Sequence, residues 1–78
     1  MAPSKPRLLL LSRPECHLCE EFRDELTSQF DVELDEACVD DRPDWRQQFG
    51  TRIPVLLDAA GRVICEVKFD AVALKRAL

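Results

Sequence analysis

The feature that most constrains this fold is a pair of cysteines, Cys16 and Cys19, placed between a short apolar run and an amphipathic segment. The run Arg7–Ser12 is bounded by polar residues, which predicts a strand buried on both faces. After the pair, apolar residues recur at every fourth position, which predicts a helix over about His17–Gln29. The two cysteines therefore lie where a strand ends and a helix begins.

The segment after this helix predicts a strand and a short second helix. Its apolar residues are interrupted by acids and predict a strand centred on Ala37–Val39. Asp40 or Asp41 is placed to cap the short helix, with Pro43 in its first turn. Gly50 stands where a glycine commonly follows the last helical residue.

The C-terminal part predicts an antiparallel hairpin and a last helix. Two apolar runs, Val55–Leu57 and Val63–Val67, flank a glycine-containing turn. Asp70 takes the N-cap position of the last helix, and Phe69 before it is placed to pack on Leu74 as a hydrophobic staple.

These elements predict one α/β domain of order β-α-β-α-β-β-α. The first β-α-β unit is expected to be a right-handed parallel crossover, and the hairpin extends it to a mixed four-stranded sheet with helices on both faces. A chain of 78 residues has room for one domain, taken as residues 1–78. We expect residues 1–6 to form a loose polar lead-in.

Charge and hydropathy argue against several classes of partner. The net charge is −4, whereas a protein that tracks phosphates usually has a basic excess, so we expect no nucleic-acid or anionic-membrane partner. The longest apolar run, Leu8–Leu11, is shorter than the ~20 residues of a bilayer span and the ~7–15 of a signal peptide core. We expect a monomer in the reducing cytoplasm.

Four cysteines are present, and the pair Cys16 and Cys19 alone has motif spacing. A structural disulfide across so short a loop would contribute only about 2 kcal/mol and would not persist in a reducing compartment. A structural zinc site needs a second such pair or a spaced histidine pair, and the one histidine is His17. Cys38 and Cys65 fall on predicted strands and are interpreted as buried apolar side chains that do not converge on Cys16. A redox pair is the favoured interpretation.

Within the pair, Cys16 is expected to be the more acidic thiol, since a helix N-terminus offers free N–H groups and positive potential to a thiolate. The helix end supplies only about 0.3–2 kcal/mol. Hydrogen bonds from the Leu18 and Cys19 amides, with partial positive charge on His17, must therefore add to it, against the repulsion of Glu15.

The segment Arg52-Ile53-Pro54 is a second candidate element. Proline cannot donate to a ladder, so Pro54 before an apolar run can simply mark the start of a strand. The sharper interpretation is a cis Ile53–Pro54 bond, which costs only about 0.5–1 kcal/mol and would turn backbone groups towards Cys16 and a docked extended chain.

Together these motifs resemble the thioredoxin fold. A strand, Cys16-His17-Leu18-Cys19 opening a helix, and Ile53-Pro54-Val55 before a hairpin and a final helix carry the resemblance. The compact length is similar to glutaredoxins, in particular to short bacterial glutaredoxin-like proteins, and the resemblance extends over Arg7–Leu78.

The resemblance implies a thiol–disulfide oxidoreductase of cell redox homeostasis. Cys16 would attack a substrate disulfide and Cys19 would resolve the mixed disulfide, with a cis-proline at Pro54 beside them. The partner would be a disulfide-containing protein or a glutathione mixed disulfide, with glutathione as co-substrate and no bound cofactor or metal. The residues implied to contact glutathione are Arg13, His17, Leu18, Arg52, Ile53, Pro54, Lys68 and Asp70.

The sequence departs from the family pattern in two dipeptide segments. His17-Leu18 replaces the usual Pro-Tyr between the cysteines, which predicts a more oxidising couple. Lys68-Phe69 stands where the family has two glycines that let the backbone approach glutathione. Two other functions stay open. One is a glutathione-linked iron–sulfur cluster bound through Cys16 and shared between two chains, and the other is a redox-inert interaction domain.

Overall fold

The computed structural model describes residues 5–78. Most of the loose lead-in predicted for residues 1–6 lies outside that range. The element order confirms the predicted β-α-β-α-β-β-α fold. In chain order the elements are β1 Arg7–Ser12, α1 His17–Gln29, β2 Glu33–Cys38, a 3₁₀ turn Val39–Asp41, α2 Pro43–Phe49, β3 Val55–Leu57, β4 Val63–Glu66 and α3 Ala71–Ala77.

The four strands form one mixed sheet in the order β2-β1-β3-β4. β1 and β2 are parallel, with Ser12 opposite Cys38 at their C-terminal ends. β3 runs antiparallel to β1 and to β4, and Val55 at its start is opposite Leu11 on one side and Glu66 on the other. The ends of β1, β2 and β4 and the start of β3 therefore meet at one edge of the sheet. This edge carries the cysteine pair.

Apolar residues bury both faces of the sheet, as the sequence predicts. The cluster between the sheet, α1 and α3 includes the fully buried Leu10, Leu26 and Leu74. The cluster on the α2 side includes Leu11 and Phe49. Within residues 5–78, none of the helices has the length and apolar character that a bilayer crossing requires.

The second strand differs from the prediction. The sequence predicts a strand centred on Ala37–Val39, but the strand begins at Glu33 and ends at Cys38, and Val39 starts the 3₁₀ turn. The reason is the pairing with β1, because all six residues of β1 have a partner in β2. Because each residue of β1 is paired with one of β2, the two strands have the same length. The local pattern of apolar residues does not indicate where a strand set by such pairing begins and ends.

The ends of α2 also differ from the prediction. Neither Asp40 nor Asp41 caps this helix; its N-cap is Arg42, which makes no side-chain capping bond. Gly50 does end the helix, but in the right-handed conformation, with φ −57° and ψ −29°. Glycine is required there by space, since a Cβ would lie 2.5 Å from the carbonyl oxygen of Arg46 and 3.3 Å from the Arg13 guanidinium.

Candidate active site

Cys16 is the N-cap of α1, as the sequence predicts. Its backbone is extended, with φ −95° and ψ 104°, and its Sγ accepts a hydrogen bond of 3.2 Å from the Cys19 amide. A cap side chain that accepts this bond satisfies one of the free N–H groups of the helix end. Cys16 and Cys19 are joined as a disulfide, with their Cα atoms 5.2 Å apart.

The two sulfurs differ in exposure. Cys16 is half-buried, whereas Cys19 is 4% exposed and belongs to the buried face of α1. Glu15, which precedes Cys16, has a positive φ of 60°, a backbone conformation that is uncommon outside glycine and recurs at functional sites. The left-handed residue turns the chain from β1 into the helix and leaves Cys16 at the surface of the turn.

Of the residues between the cysteines, His17 is exposed, with a side chain 92% accessible, and its Nδ1 lies 3.9 Å from a Glu20 carboxylate oxygen. Leu18 is also exposed, at 51%. Both side chains therefore point away from the core and form part of the surface that a partner of Cys16 would meet.

Pro54 directly precedes β3, at the sheet edge that carries the cysteine pair. The Ile53–Pro54 peptide bond is cis, which confirms the sharper of the two interpretations from sequence. Because Leu11 is opposite Val55, Pro54 stands next to the end of β1 that leads into the cysteine turn. The Pro54 carbonyl accepts a 2.7 Å hydrogen bond from the Val67 amide, which ties the turn after β4 to the same edge.

Two of the three cations expected to contact glutathione are engaged within the chain. Arg13 donates to both carboxylate oxygens of Asp40, at 2.9 and 3.0 Å, and to the Gly50 carbonyl at 2.7 Å. Arg52 is paired with Glu66. Hydrogen bonding to Arg13 lowers the pKa of the Asp40 carboxyl below its ordinary value. The Arg13 bonds connect the segment before Cys16 with the 3₁₀ turn and with the end of α2.

The remaining predicted contacts lie after β4. Lys68 has no ion-pair partner in the part of the chain that the structure describes. Asp70 is the N-cap of α3, where its carboxylate accepts from the amides of Val72 at 3.0 Å and Ala73 at 3.1 Å. This confirms the predicted cap and commits that carboxylate to the helix.

A cavity of about 340 Å³ lies between the cysteine turn and the end of β2, and Cys38 lines it together with Cys16 and Cys19. The sequence did not lead us to expect Cys38 on the same cavity as the pair, and its interpretation as a fully buried apolar side chain is wrong. Cys38 is half-buried, and its Sγ lies 3.9 Å from an Asp40 carboxylate oxygen. The sequence contained the signal, since parallel strands joined by a crossover end at the same edge of the sheet.

Cys65 confirms the interpretation as a buried apolar side chain. It is 9% exposed and packs in the cluster beneath α1 and α3. Burial raises the pKa of its thiol, because desolvation penalises the charged form.

The protein-family model described as a glutaredoxin-like domain (DUF836) matches residues 7–78 of this chain. The chain belongs to this family. Among curated proteins no sequence matches it. The sequence-based recognition of a small glutaredoxin-like protein of thioredoxin fold is thereby confirmed.

Two solved structures are similar to this glutaredoxin-like domain. The X-ray structure of structural-genomics target protein XcR50 from X. campestris is 31% identical, with a TM-score of 0.70 over 90% of this chain and 92% of that one. The solution NMR structure of protein Ne2328 from Nitrosomonas europaea is 23% identical, with a TM-score of 0.79 over 100% of this chain and 96% of that one, and shows likeness of fold. The family and the Cys16–Cys19 disulfide together fit a redox role.

The turn after β4 has its own geometry in this glutaredoxin-like domain. Val67 has a φ of 68°, and the Lys68 amide donates to the Glu66 carbonyl at 2.7 Å, which closes a γ-turn of the rare positive-φ kind. A β-branched residue seldom adopts this conformation. The turn follows β4 at the sheet edge that carries the cysteine pair, and Val67 is 41% exposed there.

Proposed function

We propose that this protein is a thiol–disulfide oxidoreductase in which Cys16 is the attacking thiol and Cys19 the resolving thiol. The observation that supports this most is the asymmetry of the disulfide: Cys16 is half-buried at the helix N-terminus, and its partner Cys19 is in the core. A substrate can reach the first sulfur and not the second.

In the reduced enzyme, the Cys16 thiolate attacks a substrate disulfide. A bond forms between Cys16 Sγ and one substrate sulfur, the substrate disulfide breaks, and the other substrate sulfur leaves as a thiolate that takes up a proton. The Cys19 thiolate then attacks Cys16 Sγ, forms the internal disulfide and releases the second substrate thiol. Two electrons pass from the protein to the substrate. Reduction by two molecules of a thiol, with glutathione as the expected class, restores the enzyme.

The helix end supports the first step. The Cys19 amide already donates to Cys16 Sγ at 3.2 Å, and a hydrogen bond to a charged acceptor is worth about 1.5–3 kcal/mol. The helix dipole adds about 0.3–1 kcal/mol in the same direction. Both interactions favour the thiolate over the thiol and make Cys16 the better nucleophile and leaving group.

The proposal is tested by following reduction of a protein disulfide and of a glutathione mixed disulfide by wild type, Cys16→Ser and Cys19→Ser. Cys16→Ser is expected to lose all activity. Cys19→Ser is expected to accumulate a covalent mixed disulfide at Cys16, visible by mass spectrometry. Cys38→Ser is the matched control, since it removes a thiol from the same cavity and should retain turnover. Activity that survives Cys16→Ser would refute the assignment.

A further inference from the structure

A second hollow, of about 260 Å³, lies between α1 and the turn after β4, and it shares no lining residue with the Cys38 cavity. Its floor is aromatic: Phe22 is 2% exposed, and Phe69 meets it edge-to-face with ring centroids 5.6 Å apart. Leu18 and Val67 are exposed at its rim. We call this hollow the α1–β4 groove. Its rim reaches the cysteine turn through Leu18, which lies between the two cysteines in the sequence.

The walls of the α1–β4 groove carry unbalanced charge. Glu21 and Glu25 line it one helical turn apart, and Lys68 faces them from the turn after β4. Within residues 5–78, neither glutamate forms an ion pair, so both carboxylates are available to a ligand. Two acids against one base give the groove a negative potential.

The surroundings do not reverse this sign. Glu15 and Glu20 flank the cysteine turn, and the neighbouring arginines are bound to carboxylates of the chain, Arg13 to Asp40 and Arg52 to Glu66. Glutathione carries more carboxylates than ammonium groups, so this potential opposes its binding. An extended polypeptide with lysine or arginine next to its disulfide would be attracted.

We infer that the α1–β4 groove selects the substrate: it docks an extended polypeptide segment in which the reacting cysteine is flanked by an apolar residue and a basic residue. The apolar side chain seats on Phe22 and Phe69, and the basic one pairs with Glu21 and Glu25. This inference rests on the proposed function and deepens it, since it names a basic protein disulfide as the preferred substrate over glutathione.

The test uses two short peptides, each a disulfide-linked homodimer with leucine beside its cysteine, one with lysine and one with glutamate as the next residue. Pre-reduced protein, freed of reductant, is mixed with each, and its oxidation is followed by quenched alkylation and mass spectrometry. The lysine peptide is expected to react about tenfold faster at low salt, at the lower end of the range for charged clefts. The ratio should fall towards one in about 1 M salt, where the Debye length is about 3 Å.

Two variants locate the preference. The double substitution Glu21→Gln with Glu25→Gln should make the two peptides react at equal rates. Asp24→Asn removes an acid from the same helix, does not line the groove, and should leave the ratio unchanged. Where both peptides are reduced, equal rates, a faster glutamate peptide, or a rate ratio that survives the double substitution would overturn the inference.

Binding of serine analogues of both peptides, in which no disulfide exists, separates this inference from the proposed function. Their affinities are measured by NMR titration. Tighter binding of the lysine analogue at the groove would uphold the docking surface even if neither peptide disulfide were reduced, in which case the proposed function fails. Equal binding would overturn the docking surface even if both disulfides were reduced.

Discussion

Replacing Val67 tests the backbone geometry that shapes the turn after β4, at the sheet edge that carries the cysteine pair. At φ 68° a residue with a Cβ is disfavoured by about 1–2 kcal/mol, a cost that glycine avoids. Glycine in turn costs about 0.5–1 kcal/mol relative to alanine, because the unfolded chain gains conformational freedom. The difference predicts that Val67→Gly is more stable than Val67→Ala by up to about 1.5 kcal/mol, the reverse of the usual order.

Val63 provides a matched control, since it is also a valine with 41% exposure but lies in β4. There, alanine should be more stable than glycine by about 0.5–1 kcal/mol. Thermal unfolding of the four oxidised variants resolves these differences, because 1 kcal/mol shifts the midpoint by about 4–8 °C in a domain of this size. A Val67→Ala protein at least as stable as Val67→Gly would refute the reasoning.

Three further predictions concern the rest of the molecule. In the oxidised native protein, Ellman's reagent should modify the half-buried Cys38 quickly and Cys65 only on unfolding, because burial shields that thiol and raises its pKa; equal rates would contradict this. Arg13 lowers the pKa of Asp40, so this carboxylate contributes stability above about pH 3.8 that is lost on further acidification. Asp40→Asn should therefore destabilise the protein at neutral pH. If the difference in unfolding free energy between wild type and this variant fails to narrow below about pH 3.8, the result would count against the pairing of Asp40 with Arg13. Leu26→Ala should reduce the free energy of unfolding by about 2–5 kcal/mol, which is close to the whole net stability of so small a domain. A variant that stays fully folded by circular dichroism would contradict this, and would show that neighbouring side chains fill the space left by Leu26.

Much of the fold was predictable because its signals are local. The period of apolar residues in α1 and the run in β1 gave the bounds of both elements as the structure has them. The position of Cys16 at the helix start followed from those bounds. The cap at Asp70 was equally readable, since the residue stands directly before an apolar helical face.

Features set by long-range contacts were not predictable in the same way. Asp40 looked like a helix cap because aspartate is a common one, but it binds Arg13, a residue far away in sequence. The bounds of β2 depend on pairing with β1, and the position of Cys38 follows from that pairing. The positive φ of Val67 contradicts the preference of a β-branched residue, so no local rule would place it there.

The most direct test of the account is the redox equilibrium of the cysteine pair. The protein is equilibrated in glutathione buffers of graded potential, its free thiols are alkylated, and the labelled sites are identified by mass spectrometry, with Cys16→Ser as control. The account predicts that Cys16 and Cys19 gain and lose their labels together, in one reversible two-electron transition that is absent from the control. The account would be contradicted if the labelling of Cys16 and Cys19 showed no shared transition over the whole range of potentials. It would also be contradicted if reduced Cys16 resisted alkylation in the folded protein.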